Sequence, residues 1–173
     1  MLPILFLLIQ IFFLILIFYL GIAFLTGAPF VPTTNPAASA MMRLVPIRKG
    51  RMTVCDLGSG DGKLLFLAAG KGARAIGYEI NPFLVILTYF RKIFHPDGSL
   101  VSCRWKNFWK ADIRNADVVF VYLLPWRMAQ LEKKIMKETK AGTVVVSNSF
   151  IFPHLKKIDA DETHHVYVFR VGK

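Results

Sequence analysis

The 173-residue chain predicts an α/β architecture: a doubly wound, mostly parallel sheet, trimmed near its C-terminus and preceded by one transmembrane helix. Three observations carry that expectation. The first 42 residues hold no charged side chain, β-prone runs alternate with helical periodicity from Thr53 onward, and the first run ends in a glycine-rich turn. The overall figures, 54% hydrophobic with a net charge of +11, average two unlike parts. From Arg43 onward the chain is about 49% hydrophobic and 25% charged, ordinary for a globular domain. A disordered chain, a collagen-like repeat and a disulfide scaffold are excluded, and the length allows one soluble domain of modest size.

Leu2 to Leu25 is apolar except for Pro3, Gln10 and Gly21. As a helix it would be ~36 Å long, enough to cross a ~30 Å hydrocarbon core. Pro3 falls in the first turn, where no helix hydrogen bond is lost. A cleavable signal peptide would want a basic start and a shorter apolar core, although Ala38-Ser39-Ala40 has the small-x-small pattern of a cleavage site. A permanent anchor fits better. Arg43, Arg48, Lys49 and Arg51 follow the span and no basic residue precedes it. The positive-inside rule therefore puts the C-terminal domain on the cytoplasmic side, or the matrix side in a mitochondrion. Anchor 1–26, connector 27–46 and domain 47–173 follow from this partition. Cys55 and Cys103 lie far apart on apolar segments and read as buried thiols.

The connector is rich in Pro, Thr and Ala, with a short helix possible over Ala37 to Leu44. Then come a buried strand (Thr53 to Leu57), a helix (Gly62 to Gly70), a strand (Ala73 to Glu79) and an apolar helix (Pro82 to Phe94) stopped by His95-Pro96-Asp97-Gly98. Leu100 to Trp105 is the third strand, followed by a loop. Asp117 to Tyr122 is the most β-prone run and the expected central strand. Trp126 to Lys140 is amphipathic: Met128, Leu131 and Ile135 share one face, while Lys133, Lys134 and Lys137 form a solvated one. Gly142 to Ser147 and His165 to Val171 complete six expected strands. The interval between the last two leaves little room for a long helix, so the final crossover should be a loop or hairpin.

The chemistry concentrates at Asp56-Leu57-Gly58-Ser59-Gly60-Asp61-Gly62-Lys63, a strand–turn–helix suited to a charged ligand at a helix N-terminus. A phosphate-binding P-loop would need Gly at 57 and Ser or Thr at 64, where Leu57 and Leu64 stand. A dinucleotide fingerprint would need Gly at 63 or 65, where Lys63 and Leu65 stand. Glu79 ends the next strand, at a distance where a carboxylate can meet ribose hydroxyls, a spacing that dinucleotide folds share. His95, His154, His164 and His165 have no ligand-type spacing, and no metal is expected.

Asp-Leu-Gly-Ser-Gly-Asp-Gly resembles motif I of the class I, Rossmann-like S-adenosylmethionine-dependent methyltransferases. Pro29-Phe30-Val31-Pro32-Thr33, Gly77-Tyr-Glu-Ile-Asn-Pro82, Val119-Phe-Val-Tyr-Leu-Leu-Pro125 and Val145-Val-Ser-Asn-Ser-Phe150 extend the likeness. From Pro29 to the C-terminus the chain is similar to one family of protein lysine methyltransferases. That family includes the mitochondrial enzymes for the ATP synthase c-subunit and the adenine nucleotide translocase, and archaeal broad-specificity enzymes. The resemblance implies that Gly58, Ser59, Gly60 and Gly62 wrap the methionine part of S-adenosylmethionine. It implies that Asp56 and Asp61 order the loop or receive the cofactor amine, and that Glu79 binds ribose with Ile80 and Asn81 beside it. The family often carries Gly-Asp after the third strand. Lys106-Asn107 stands there instead, with Asn107 able to accept from the adenine amine and Phe108 or Trp109 placed to cover the ring.

Methyl transfer to an amine is an in-line displacement that needs the reactants aligned at about 3 Å. It also needs a neutral lysine, which at pH ~7.4 costs roughly 4 kcal/mol. An apolar channel and the sulfonium charge both lower that cost. Tyr122, Asn148 and the Pro32-Thr33 segment are the expected channel residues. The Asp/Asn-Pro-Pro-Tyr signature of many nucleic-acid amino-methylating enzymes is absent. The charge of +11 would admit an RNA substrate, and the anchor a lipid or quinone; a non-catalytic cofactor-binding membrane protein is a third alternative. Dispersed basic residues speak against nucleic acid and suit an anionic membrane surface. The expected partners are a lysine of a membrane protein and the bilayer itself.

Overall fold

A computed structural model describes residues 2–26, 31–45, 47–50 and 52–172. Pro29, Phe30 and Arg51, named above, lie outside them. The chain divides into two compact units, Met1–Val31 and Pro32–Lys173.

The first unit is α1 (Leu2–Thr26), a continuous 25-residue helix. The side chains described in it, Pro3 to Ile17, are all exposed. Among the described residues no helix is long and apolar enough to cross a membrane. The transmembrane helix therefore rests on sequence alone.

The second unit is built on one seven-stranded sheet in the order β3-β2-β1-β4-β5-β7-β6. The strands are β1 (Thr53–Leu57), β2 (Arg74–Glu79), β3 (Val101–Trp105), β4 (Val118–Val121), β5 (Val144–Asn148), β6 (Lys156–Asp161) and β7 (Val166–Arg170). The first five are parallel; β7 runs antiparallel to both β5 and β6. Parallel neighbours require crossovers, supplied by α3 (Lys63–Gly70), α4 (Pro82–Phe94) and α5 (Pro125–Glu138). β1, β4 and β5 carry Val54, Val118, Val119, Val145 and Val146 at full burial, as central parallel strands do.

The sheet is not trimmed in strand number. The strand missed from sequence is β6, Lys-Lys-Ile-Asp-Ala-Asp, whose burial pattern is mostly exposed because it pairs on one edge only. With so little to bury, it shows no apolar alternation. The shortening falls on the crossover between β5 and β6, which is a loop over 149–155.

One buried side chain holds that loop. Glu132 of α5, 2% exposed, accepts from the backbone N–H of His154 at 2.8 Å and of Leu155 at 2.6 Å, and pairs with His154 Nδ1 at 2.8 Å. Hydrogen bonds to a charged group contribute about 1.5–3 kcal/mol each. Glu132→Ala should therefore lower stability by roughly 3 kcal/mol, read as a lower urea midpoint; an unchanged midpoint would remove the clasp from the account.

One further residue departs from expectation. Lys134 does not belong to a solvated lysine face: its side chain is 8% exposed, and Nζ donates to the Ala111 carbonyl and the Glu138 carboxylate. The stretch from Asn35 is more than a connector. Thr34 caps α2 (Asn35–Leu44) by accepting from the Ala37 N–H, and Ala37, Ala38, Ala40, Met41, Met42 and Val45 are buried with the sheet core. Ala38 and Ala40, the small residues of the cleavage-like pattern, are core side chains at 1% and 0% exposure. Arg43 of α2 reaches Asp161 at 2.8 Å, tying the helix to the end of β6.

Candidate active site

In an open parallel sheet, ligands bind where the strand order reverses, at the carboxyl ends. Here that point lies between β1 and β4. Asp56 sits one residue before the end of β1, beside Gly77 on β2 and Phe120 on β4. Its carboxyl is 5% exposed and accepts no hydrogen bond among the described residues. Burial, with the nearby Glu79 and Asp61 charges adding to it, pushes its pKa up to about 8. A cation placed beside such a group would favour its ionised form.

The turn after β1 is anchored to β2. Gly58 and Ser59 donate N–H bonds to the Tyr78 carbonyl, and Gly60 N–H reaches Glu79 Oε2 at 2.8 Å. Gly58, Gly60 and Gly62 all have positive φ. At Gly62, which leads into α3 at φ +80, a Cβ would stand 2.8 Å from Thr88 Cγ2, so neither backbone nor space admits a side chain. A Cβ at Gly58 would meet nothing within 4 Å; the turn is open on that side.

Glu79, 7% exposed, gathers three backbone donors: Gly60 on Oε2, and Ile80 and Asn81 on Oε1, each at 2.8 Å. It thereby welds the turn to the start of α4, whose cap is Asn81, accepting from Phe83 N–H. Asp61 is engaged by Arg91, whose guanidinium donates to its carboxylate at 2.7 Å and its carbonyl at 2.8 Å. Of the two roles the resemblance allows Asp61, this geometry provides loop ordering. Ser59, 6% exposed, lies 3.6 Å from Cys103 Sγ.

After β3, Asn107 caps a 3-10 turn (Phe108–Lys110), its Oδ1 accepting from Trp109 N–H at 3.0 Å. The oxygen expected to face adenine thus already has a backbone donor. Phe108 is 8% exposed and stacks against Trp109 at 4.8 Å, a packing position.

On the other side of the switch point, β4 and β5 pair with Val121 opposite Ser147. Tyr122 and Asn148 therefore leave adjacent strands at the same edge, Tyr122 half-buried and Asn148 5% exposed. Thr33 reaches the site from elsewhere in the chain: Lys63, the first residue of α3, donates from Nζ to the Thr33 carbonyl at 2.6 Å. Sequence reasoning passed over Lys63 and Arg91, which fasten both flanks of the glycine turn. It also passed over Ser147, whose buried Oγ has no partner among the described residues. The interruption of Val144-Val-Val by a serine at a strand end was its signal.

No group of three or more His, Cys, Asp or Glu residues able to hold a metal occurs among the described residues.

The 3-2-1-4-5-7-6 order, the antiparallel β7 and the acid–glycine turn at the switch point define an α/β domain of the methyltransferase type. The comparisons agree. The chain belongs to the ANTKMT methyltransferase domain family, which it matches over residues 56–159. It is 33% identical over 126 residues to the human lysine N-methyltransferase named for the ATP synthase c-subunit, covering 73% of this chain and 53% of that protein. The chain thus spans about half the length of the first curated relatives it matches. With a protein-lysine N-methyltransferase of Saccharolobus islandicus it shares 30% identity over 153 residues, covering 84% of this chain and 94% of that one. A crystal structure of an RNA methyltransferase from Salinibacter ruber in complex with S-adenosyl-L-homocysteine superposes with a TM-score of 0.76 at 32% identity, covering 83% and 95%.

Proposed function

We propose that this protein transfers a methyl group from S-adenosylmethionine to a lysine side chain of a membrane protein. The observation that carries the reading is the buried Asp56 carboxyl, without a protein donor among the described residues, beside a glycine turn that Glu79 locks in place. The relatives named for lysine methylation and the neighbour crystallised with S-adenosylhomocysteine support it.

The residues present fit the cofactor, which when bound supplies an electrophilic methyl group on a sulfonium. Asp56 would face its α-ammonium, and Gly58, Ser59, Gly60 and Gly62 the methionine chain. A carboxylate has about four acceptor positions and three of those on Glu79 are taken by amides, so the fourth is free for a ribose hydroxyl. Accepting both hydroxyls would require one amide to let go. Ile80, Asn81, Asn107 and Phe108 would border the nucleoside. Tyr122, Asn148 and Thr33 would line the approach of the lysine, whose ammonium must shed a proton before attack. Tyr122, Leu124 and Pro125, over the buried Leu123, would give that approach an aromatic and apolar rim favouring the neutral amine.

Asp56 makes the reading testable by pH. An unfolded carboxyl ionises near 3.8, while the folded one holds its proton to about 8. Between those values the folded state binds a proton that the unfolded state lacks, so this group's stabilising contribution fades as pH rises toward 8. Asp56→Asn should flatten that part of the stability–pH curve relative to the wild type. Cofactor binding runs the other way. Pairing with an ammonium requires the ionised acid, so affinity for S-adenosylhomocysteine should rise on the order of tenfold per unit between about pH 6 and 8. Calorimetry showing a flat profile would dissociate Asp56 from the amine.

The membrane location rests on the uncharged run Leu2–Leu25 and the basic residues that follow it, with one pass and the domain on the cytoplasmic or matrix side. A second reading, methylation of RNA, is favoured by the name of the Salinibacter ruber neighbour. Radiolabelled methyl transfer into membrane fractions separates the two. Label recovered as methyl-lysine after protein hydrolysis supports the proposal; label in RNA or lipid extract alone rejects it.

A further inference from the structure

The helix that follows the Glu79 strand is unusual for a crossover helix in a doubly wound sheet. Thr88 is the one fully buried residue of α4. Its outward face carries Phe83, Ile86, Tyr89, Phe90, Ile93 and Phe94, at 52–85% exposure. No acidic residue interrupts the helix, and Arg91 and Lys92 occupy its last turn. Phe90, Arg91 and Phe94 also open onto a shallow depression of about 480 Å³ with Phe66 and His95. At the other end Trp105, 70% exposed, donates from its indole nitrogen to the Ile80 carbonyl, flanked by exposed Arg104 and Lys106. Soluble proteins rarely leave an apolar surface of this extent uncovered.

We propose that the outer face of α4, with Trp105 beside it, docks on an anionic bilayer surface. Three observations select lipid over another occupant. The helix is 13 residues long, ~20 Å, too short to cross a bilayer but suited to lie along its interface. Lys92, Arg104 and Lys106 lie at the two ends of its apolar face, and indole and phenol groups are those that settle at the headgroup boundary. A second, strongly apolar helix, α1, ends only five residues before the domain begins in sequence. Interfacial insertion of α4 would keep the carboxyl edge of the sheet, where Asn81 caps the same helix, close to the headgroup layer. Substrate lysines would then be those at the lipid–water boundary. The docking itself does not depend on which amine is methylated.

The test uses the full chain in vesicles of phosphatidylcholine and phosphatidylglycerol containing a lipid that bears a photoactivatable diazirine, with adducts mapped by mass spectrometry. The expected result is labelling of α4 at five times or more the level of α5, whether or not α1 is labelled. In the Phe83→Ser/Phe90→Ser/Phe94→Ser variant, α4 labelling should drop at least fivefold with α1 labelling unchanged. Labelling of α4 no higher than α5 in the wild type overturns the docking; if α1 is labelled in that same sample, anchoring stands without it. Cross-links joining α4 of two copies, with α4 shielded from lipid, would identify a dimer face instead and equally overturn it.

Discussion

Glu79→Ala should lose measurable binding of S-adenosylhomocysteine, a fall of a hundredfold or more. The side chain does two things at once. It is the buried carboxylate proposed above to accept a ribose hydroxyl, and it holds the amides of Gly60, Ile80 and Asn81, each at 2.8 Å. One lost charge-assisted hydrogen bond to a ligand, about 1.5–3 kcal/mol, already accounts for roughly ten- to a hundredfold. Three amides left without their acceptor also free the turn and the entry of α4, costing roughly 3 kcal/mol of stability. Glu79→Gln separates the effects. One amide oxygen remains as acceptor, so the domain should keep most of its stability and still bind at least tenfold more weakly. Calorimetry and thermal unfolding on the two variants read both quantities. Binding by Glu79→Ala within threefold of wild type would remove Glu79 from the site.

Gly77→Ala should cost about 3 kcal/mol and weaken cofactor binding at least tenfold even where the protein remains folded. Gly77 lies on β2 opposite Asp56, and the glycine turn folds directly over it. A methyl there would stand 2.5 Å from Ser59 Oγ, 2.7 Å from Ser59 Cβ and 2.6 Å from Leu65 Cδ1. All three separations are far inside contact distance, and forcing extra volume into such packing typically costs about 1–3 kcal/mol or more. Relief can come only by pushing the turn away from β2, which misplaces the Gly58 and Ser59 amides that bond to Tyr78. Because two of the three collisions are with Ser59, Ser59→Gly in the Gly77→Ala background should recover a measurable part of the lost stability. Failure to recover any would show that the strain lies against Leu65 or elsewhere in β2.

Gly77 is instructive about what a sequence discloses. It stood in view as part of Gly77-Tyr-Glu-Ile-Asn-Pro82, yet nothing local requires glycine in the middle of a strand. The requirement comes from a turn 18 residues earlier that lies across it. The same holds for Glu79. Its place at a strand end was legible from spacing, but its grip on three amides depends on how closely the turn approaches β2. Lys63–Thr33 and Arg91–Asp61 join segments about 30 residues apart and leave no periodic trace. The edge strand β6 was invisible for the opposite reason: a strand that buries almost nothing has no alternation to read.

What the sequence alone determined was everything enforced locally. Hydrophobic runs of strand length, alternating with amphipathic helices, dictate a parallel α/β sheet, because each buried face must find a partner. Asp56 and the glycines after it dictate an acid and a tight turn at the end of β1. The uncharged stretch from Leu2 to Leu25 separates itself from the domain by composition. What only the tertiary structure decided was which groups are satisfied and which are left over. Among the described residues it closes Glu79, Asp61 and Asn107 onto protein donors, leaves the Asp56 carboxyl and Ser147 Oγ without them, and turns the apolar side of α4 outward. Those outcomes depend on distances between segments remote in the chain, and free energy at a site is set by such distances, not by the order of residues.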